Sequence, residues 1–201
     1  MKTVFYLITL GLILTACNAA QPVAPEQALA TTRTAWNASR HTVWDIDWPN
    51  APLAGEVTVE EWRAGSRLRL EILETNAPDL LGQTLVINGN QAWRFNRLDL
   101  PASESPTTPV LSPVTDAFAQ IERLLAQSPA SATSRQVVVN TVAATEIELS
   151  LAAGETLRVA VAQTTGLPVF VEFTAGSQHG RLRARSALPL EHPPAALFAV
   201  N

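Results

Sequence analysis

The residues able to do chemistry are few and widely spaced in this chain of 201 residues. It has one thiol, Cys17, and three imidazoles, His41, His179 and His192. The histidines fall at the start of a strand-like run, in a turn and in the C-terminal tail, with no metal-ligand spacing between them. Asp45 and Asp47 lie two apart and would share a strand face. A hard cation can use such a pair, but solvated carboxylates are the commoner reading. No Gly-x-Ser-x-Gly elbow and no phosphate loop occurs. The expectation is therefore a non-enzymatic protein, with no catalytic residue, metal or cofactor. Arginine is the remaining resource. Arg67 and Arg69 alternate with Leu68 and Leu70, and Arg181, Arg183 and Arg185 alternate with Leu182 and Ala184. Guanidinium rows of this kind can clamp phosphate or carboxylate through paired N–H donors, which makes Arg67, Arg69, Arg181 and Arg183 candidate anion contacts. The alternative is cross-strand pairing with Glu60, Glu71, Glu148 or Glu172 on a solvated face.

Cys17 has a telling context. Lys2 supplies one positive charge, and Val4 to Leu14 is almost wholly apolar. That run matches a signal-peptide core and is shorter than the roughly 20 residues of a spanning helix. Leu14-Thr15-Ala16-Cys17 follows and resembles the bacterial lipobox. The small Thr15 and Ala16 admit an extended segment to a protease site, and the Cys17 thiol is the nucleophile that takes a diacylglyceryl group. The expectation is a signal peptide over 1–16, a lipidated cysteine and tether over 17–25, and one domain over 26–201, anchored on the extracytoplasmic side of a cell membrane. Lipidation of Cys17 leaves no thiol for a disulfide. Without Lys2, 13 arginines face 18 Asp and Glu, a net charge of −5 with His neutral. An acidic chain without a basic tail argues against nucleic acid as a partner, and its membrane association would come from lipid, not charge.

The remaining sequence must supply the elements. Pro25 to Ser39 reads as a helix, with Ala28, Ala35 and Trp36 on one stripe. The period then changes to two. Strands are expected over 41–47, 57–63, 67–73, 84–87 and 91–95, the last two joined at Asn88-Gly89-Asn90, a hairpin signal. Pro101 to Pro113 reads as a loop. Asp116 to Gln127 reads as a helix with Phe118, Ile121, Leu124 and Leu125 on one face and Thr115 as its N-cap. After a linker over 128–134 come strands at 136–141, 145–151, 156–162, 167–173 and 180–186, with a short helix or turn over 194–199. Successive strands with short turns make an antiparallel meander. The layout fits one large curved sheet with two helices against one face, and it equally fits a barrel.

Three runs carry a family resemblance: Val59 to Glu71, with its Arg-x-Arg-x-Glu strand; Leu85 to Asn96, an apolar strand, turn and aromatic pair; and Thr165-Gly166-Leu167-Pro168 entering Val169-Phe170-Val171. Together they resemble the LolA-LolB-like superfamily of lipoprotein carriers and RseB-type regulators. The resemblance implies a mainly β (α+β) fold: a strongly curved antiparallel sheet forming an open half-barrel, with an N-terminal and a mid-chain helix on the concave side and an apolar cavity between. The aromatic and branched residues of the three runs are then either plain core or cavity lining. The lining candidates are Trp44, Trp62, Leu68, Leu70, Trp93, Phe95, Val169, Phe170 and Val171. The partners implied are a membrane, through the N-terminal lipid, and a lipid or lipoprotein acyl chain. Another envelope protein is the second partner class.

Overall fold

The computed structural model describes residues 19–48, 56–89, 91–96, 99–103 and 114–199. The signal segment and the lipobox, Leu14 to Cys17, lie outside the described residues. So does most of the proline-rich segment before the second helix. No described helix is long and apolar enough to cross a membrane.

Among the described residues, twelve strands form one antiparallel sheet. In chain order the elements are β1 (Gln21–Pro22), α1 (Pro25–Asn37), β2 (Arg40–Asp47), β3 (Glu56–Ala64), β4 (Arg67–Glu74), β5 (Gln83–Asn88), β6 (Gln91–Asn96) and β7 (Asp99–Ser103). There follow α2 (Val114–Leu125), β8 (Ser131–Val139), β9 (Val142–Ser150), β10 (Thr156–Ala162), β11 (Pro168–Ala175) and β12 (Gln178–Pro189), then a 3-10 turn at Ala195–Phe198. The spatial order is β1-β8-β9-β10-β11-β12-β2-β3-β4-β5-β6-β7. The two meanders therefore join where β12 pairs with β2, in register Leu182↔Ile46 and Ala184↔Trp44. The sheet ends at β1 and β7 and is open, so the half-barrel holds and the closed barrel does not. Curvature shows in one contact. The Asn140 side-chain amide, at the β8–β9 turn, donates to the Ala184 carbonyl of β12 at 3.1 Å. Three strand spacings in a flat sheet would separate those strands by about 14 Å.

Alternation decides which residues face the helices. In β2, Arg40, Thr42, Trp44 and Ile46 are buried and their neighbours are half-exposed. Val57, Val59, Glu61 and Arg63 continue that face on β3, and Leu70, Ile72 and Leu85 on β4 and β5. On β11 and β12 it is Val169, Val171, Phe173, Leu182 and Ala184. Both helices cover this concave face. Helix α1 buries Ala28, Leu29, Thr32, Ala35 and Trp36, and α2 buries Val114, Ala117, Phe118, Ile121, Leu124 and Leu125. The Trp36 ring lies 5.5 Å from Phe118 and 6.5 Å from Trp44, and Arg33 Nε donates to the Leu125 carbonyl at 2.7 Å, tying the helices together.

Several boundaries differ from the sequence reading. Helix α2 starts at Val114, whose fully buried side chain begins the apolar stripe, so Thr115 sits inside the first turn and is not the cap. Four residues of the expected linker, 131–134, are strand. Only Ala132 among them is buried, so the alternation that marks a strand is missing there. Pro101 to Ser103, expected as loop, belong to β7. Prolines fall at both sheet edges, Pro22 in β1 and Pro101 in β7, where a missing N–H breaks no inner ladder. Gln21 and Pro22, inside the expected tether, pair with Ser134 and Thr133. The β8–β9 turn puts both Asn140 (φ 46°) and Thr141 (φ 71°) at positive φ, the geometry of a two-residue hairpin turn.

Candidate functional site: a buried arginine cluster beneath the helices

The concave face is apolar except at one end, and that end holds its chemistry. Arg40 opens β2 directly after α1, and Arg63 lies opposite it on β3. Both take the inward phase of their strands, with Glu61 two residues before Arg63. The Glu61 carboxylate is wholly buried and accepts four hydrogen bonds. Its Oε1 takes Arg40 Nη2 and Arg63 Nε, each at 2.9 Å; its Oε2 takes Arg40 Nε at 2.9 Å and Trp44 Nε1 at 2.8 Å. Arg40 also donates to the Trp36 carbonyl, at the end of α1. Both guanidinium groups lie over the Trp36 ring, with Cζ at 4.8 Å for Arg40 and 5.2 Å for Arg63. Burial alone would push the Glu61 carboxyl up; the charges of Arg40 and Arg63 and the bonds from Trp44 and Arg63 outweigh it and hold Glu61 below the usual range. Burial pushes Arg40 down from the free guanidinium value, with Glu61 opposing. Arg63 reaches the rim, where Nη1 meets Glu122 Oε1 of α2 at 3.4 Å, and Glu122 is 55% exposed.

The predicted site residues divide between the two faces. Trp44, Leu68, Leu70, Val169 and Val171 lie on the concave side, and all but Leu68 are buried in the core with the helices. Trp62, Trp93 and Phe95 lie on the opposite face with Val86 and Ala64, beneath Leu197 and Phe198 of the C-terminal turn. Phe170 is also on that face, beneath the Arg158 guanidinium. The nine candidates therefore line no single space.

Three of the four anion candidates have protein partners. Arg67 lies over the Phe198 ring at 4.8 Å. Arg69 meets Glu71 at 3.3 Å and the Leu197 carbonyl at 3.4 Å, between the rings of Trp62 and Phe95. Arg181 pairs with Glu172 at 2.8 Å, and Arg158 and His179 share that carboxylate. Arg183 is exposed, in register with Phe170 and Asp45. Asp45 accepts from Arg185 Nε at 2.7 Å and from the Thr58 hydroxyl at 3.0 Å. No group of three or more His, Cys, Asp or Glu placed to hold a metal occurs among the described residues.

The sequence reading missed Arg40, Glu61, Arg63 and Trp36 as a unit. The available signal was phase: three ionic residues on the inward face of β2 and β3, beside Trp44, Ile46, Val57 and Val59.

The chain is an open antiparallel sheet with two helices on its concave face. Solved structures share it. MucB matches with a TM-score of 0.54 at 14% identity, over 88% of this chain and 62% of that one. The complex of Pseudomonas aeruginosa MucA/MucB gives 0.52 at 15%, over 87% and 61%. An uncharacterized conserved protein from Thermus thermophilus gives 0.51 at 12%, over 86% and 91%. This chain thus spans less than two thirds of the MucB chains, and at these identities the likeness is one of fold. No family model and no curated protein matches the chain.

Proposed function

We propose that this chain is a non-catalytic lipoprotein of the cell envelope, anchored to a membrane through Cys17, that holds a lipid or the acyl chain of another lipoprotein between its concave face and its helices. The observation that carries the reading is the construction of that face. One continuous apolar layer runs from β9 across β12 and β2 to β5, and two amphipathic helices cover it. The α2 stripe of Phe118, Ile121, Leu124 and Leu125 offers the sheet the same kind of surface an acyl chain would. Each methylene buried in its place contributes about 0.8 kcal/mol.

A second reading rests on the likeness to MucB, which has been solved in complex with MucA. A fold of this kind can serve a sensor or regulatory module that binds another envelope protein, and fold alone does not choose. Pro22 and Pro101 at the sheet edges disfavour strand addition there, so a protein partner would take a face.

Native mass spectrometry with lipid extraction tests the choice, on the exported chain from Asn18 purified without detergent from a bacterial envelope fraction. A stoichiometric lipid is the expected result. A clean apo mass, with no uptake of a fluorescent fatty acid, would overturn lipid holding and leave the protein-binding reading.

A further inference from the structure

Within its sealed part the cluster holds two cations to one anion, and its hydrogen bonding is incomplete. Two guanidinium groups, Arg40 and Arg63, share one sealed carboxylate, Glu61; the second carboxylate, Glu122, stands at the rim. Among the described residues, two buried donors in this cluster have no acceptor: Arg63 Nη2 and Trp36 Nε1. They belong to groups in contact, since the Arg63 guanidinium lies over the Trp36 ring at 5.2 Å. Buried donors without acceptors are rare, because each forfeits its bond to water. With one carboxylate for two guanidinium groups inside the seal, an anion is the acceptor these donors would favour.

We infer that the Arg40–Glu61–Arg63 cluster receives the anionic headgroup, phosphate or carboxylate, of an amphiphile, with Arg63 Nη2 and Trp36 Nε1 as donors and Glu122 as the group displaced. The inference rests on the lipid-holding reading above and names the headgroup chemistry of that same site. Exchange of one anion for another at Arg63 keeps the charge of the rim constant, so entry costs no bare buried charge. Arg40 is held by Glu61 and the end of α1 and stays in place. The acyl chain runs from the headgroup along the apolar layer beneath α2.

The test uses the full chain in phosphatidylcholine nanodiscs and follows the Trp36 indole N–H resonance, assigned with a Trp36→Phe variant. The probes are octyl phosphate, octanoate, octanol and inorganic phosphate. Octyl phosphate or octanoate is expected to move the Trp36 resonance at concentrations where octanol does not, and the stronger of the two identifies the headgroup. Arg63→Gln is expected to abolish the response. Glu122→Gln, at an exposed position with little bearing on folding, should lower the half-saturating concentration about ten-fold, the equivalent of one charge-assisted contact freed from competition. A core that responds equally to octanol and the anions would overturn headgroup recognition while leaving lipid holding intact. An unchanged response in Glu122→Gln would do the same, even if Arg63→Gln failed to fold. Inorganic phosphate acting as well as octyl phosphate would reduce the site to a free-anion site and overturn the amphiphile. No response to any probe would overturn both readings.

Discussion

Replacing Glu61 with glutamine removes one charge and turns two accepted hydrogen bonds into donor–donor contacts. The carboxylate now accepts from Arg40 Nε, Arg40 Nη2, Arg63 Nε and Trp44 Nε1, all within 2.9 Å and all buried. A glutamine amide keeps one oxygen and puts an NH2 where the other oxygen took two donors. Two buried guanidinium groups are then left with no counter-charge inside the core. Removing one partner from a buried ion pair costs about 3–5 kcal/mol, so Glu61→Gln should lose about 4 kcal/mol. For a domain of this size each kcal/mol shifts Tm by about 2–4 °C, which gives a fall of about 8–16 °C. Differential scanning calorimetry at pH 7 reads it directly. The gap should depend on pH. The folded Glu61 lies below its ordinary value of about 4.3, so the unfolded chain takes up the proton first as pH falls. Its stabilisation is complete above that value and is lost as pH falls through the folded pKa, and the two proteins should converge there. An apolar triple replacement, Arg40→Met with Glu61→Leu and Arg63→Met, should recover most of the loss, because the cost lies in unpaired charge and not in missing ion pairs. A Tm change under about 2 °C for Glu61→Gln, against that range, would refute the placement of Glu61 as the counter-charge of a sealed cluster.

Other expectations follow from single positions. A Cβ at Gly180 would stand 2.6 Å from Phe173 Cε1, and that ring is wholly buried, so Gly180→Ala should cost about 1–3 kcal/mol in urea unfolding. Phe198→Ala removes a ring that is 3% exposed from the outer cluster and should cost about 3 kcal/mol, with a red shift in the emission of Trp62 and Trp93 as water reaches them. Cys17→Ser should move the chain from the membrane fraction and abolish incorporation of labelled palmitate; retention of the label would place the acylation elsewhere.

The fold was largely legible because its signals are local. Strict alternation, as in Arg67 to Leu73, gave β2 to β6 within a residue, while β8, β9 and β12 run two to five residues beyond the expected bounds, and the meander followed from short turns. Reading which face each run presents was harder, because sheets with two covered faces blur the alternation. On β4, Leu68 and Leu70 point inward while Arg67 and Arg69 lie among aromatic rings, so neither phase looks solvated. Trp62, Trp93 and Phe95 carried the same ambiguity. Their outward burial depends on Leu197 and Phe198, about a hundred residues or more away in sequence, which no window on the chain connects. Glu61 was invisible for a related reason. A glutamate in Val57 to Arg63 reads as surface until Arg40 and Trp44 of the neighbouring strand are placed beside it.

The two halves of the sheet use their outer faces differently, and this constrains where a ligand can enter. Over β8 to β12 the outer face is an ionic ladder, with Glu146 shared by Arg135 and Arg158, and Glu172 by Arg158, His179 and Arg181. Such pairs are partly exposed and screened, and they favour water on that side. Over β3 to β6 the outer face interleaves aromatic rings with Arg67, Arg69 and Glu71, and it is covered by the C-terminal turn, whose Phe198 is held against Arg67. An acyl chain lodged outside would have to strip off that turn or lie across charge. Inside, the layer is apolar except at the arginine cluster and the buried Thr42 beside it. At its rim Arg63 meets Glu122 at 3.4 Å, and the Glu122 side chain is already more than half in water. That contact costs little to open, as an exposed partner keeps most of its hydration when the pair parts. The end of the concave face at α2 is therefore the point where entry disturbs the least buried structure, and the charge waiting there is positive.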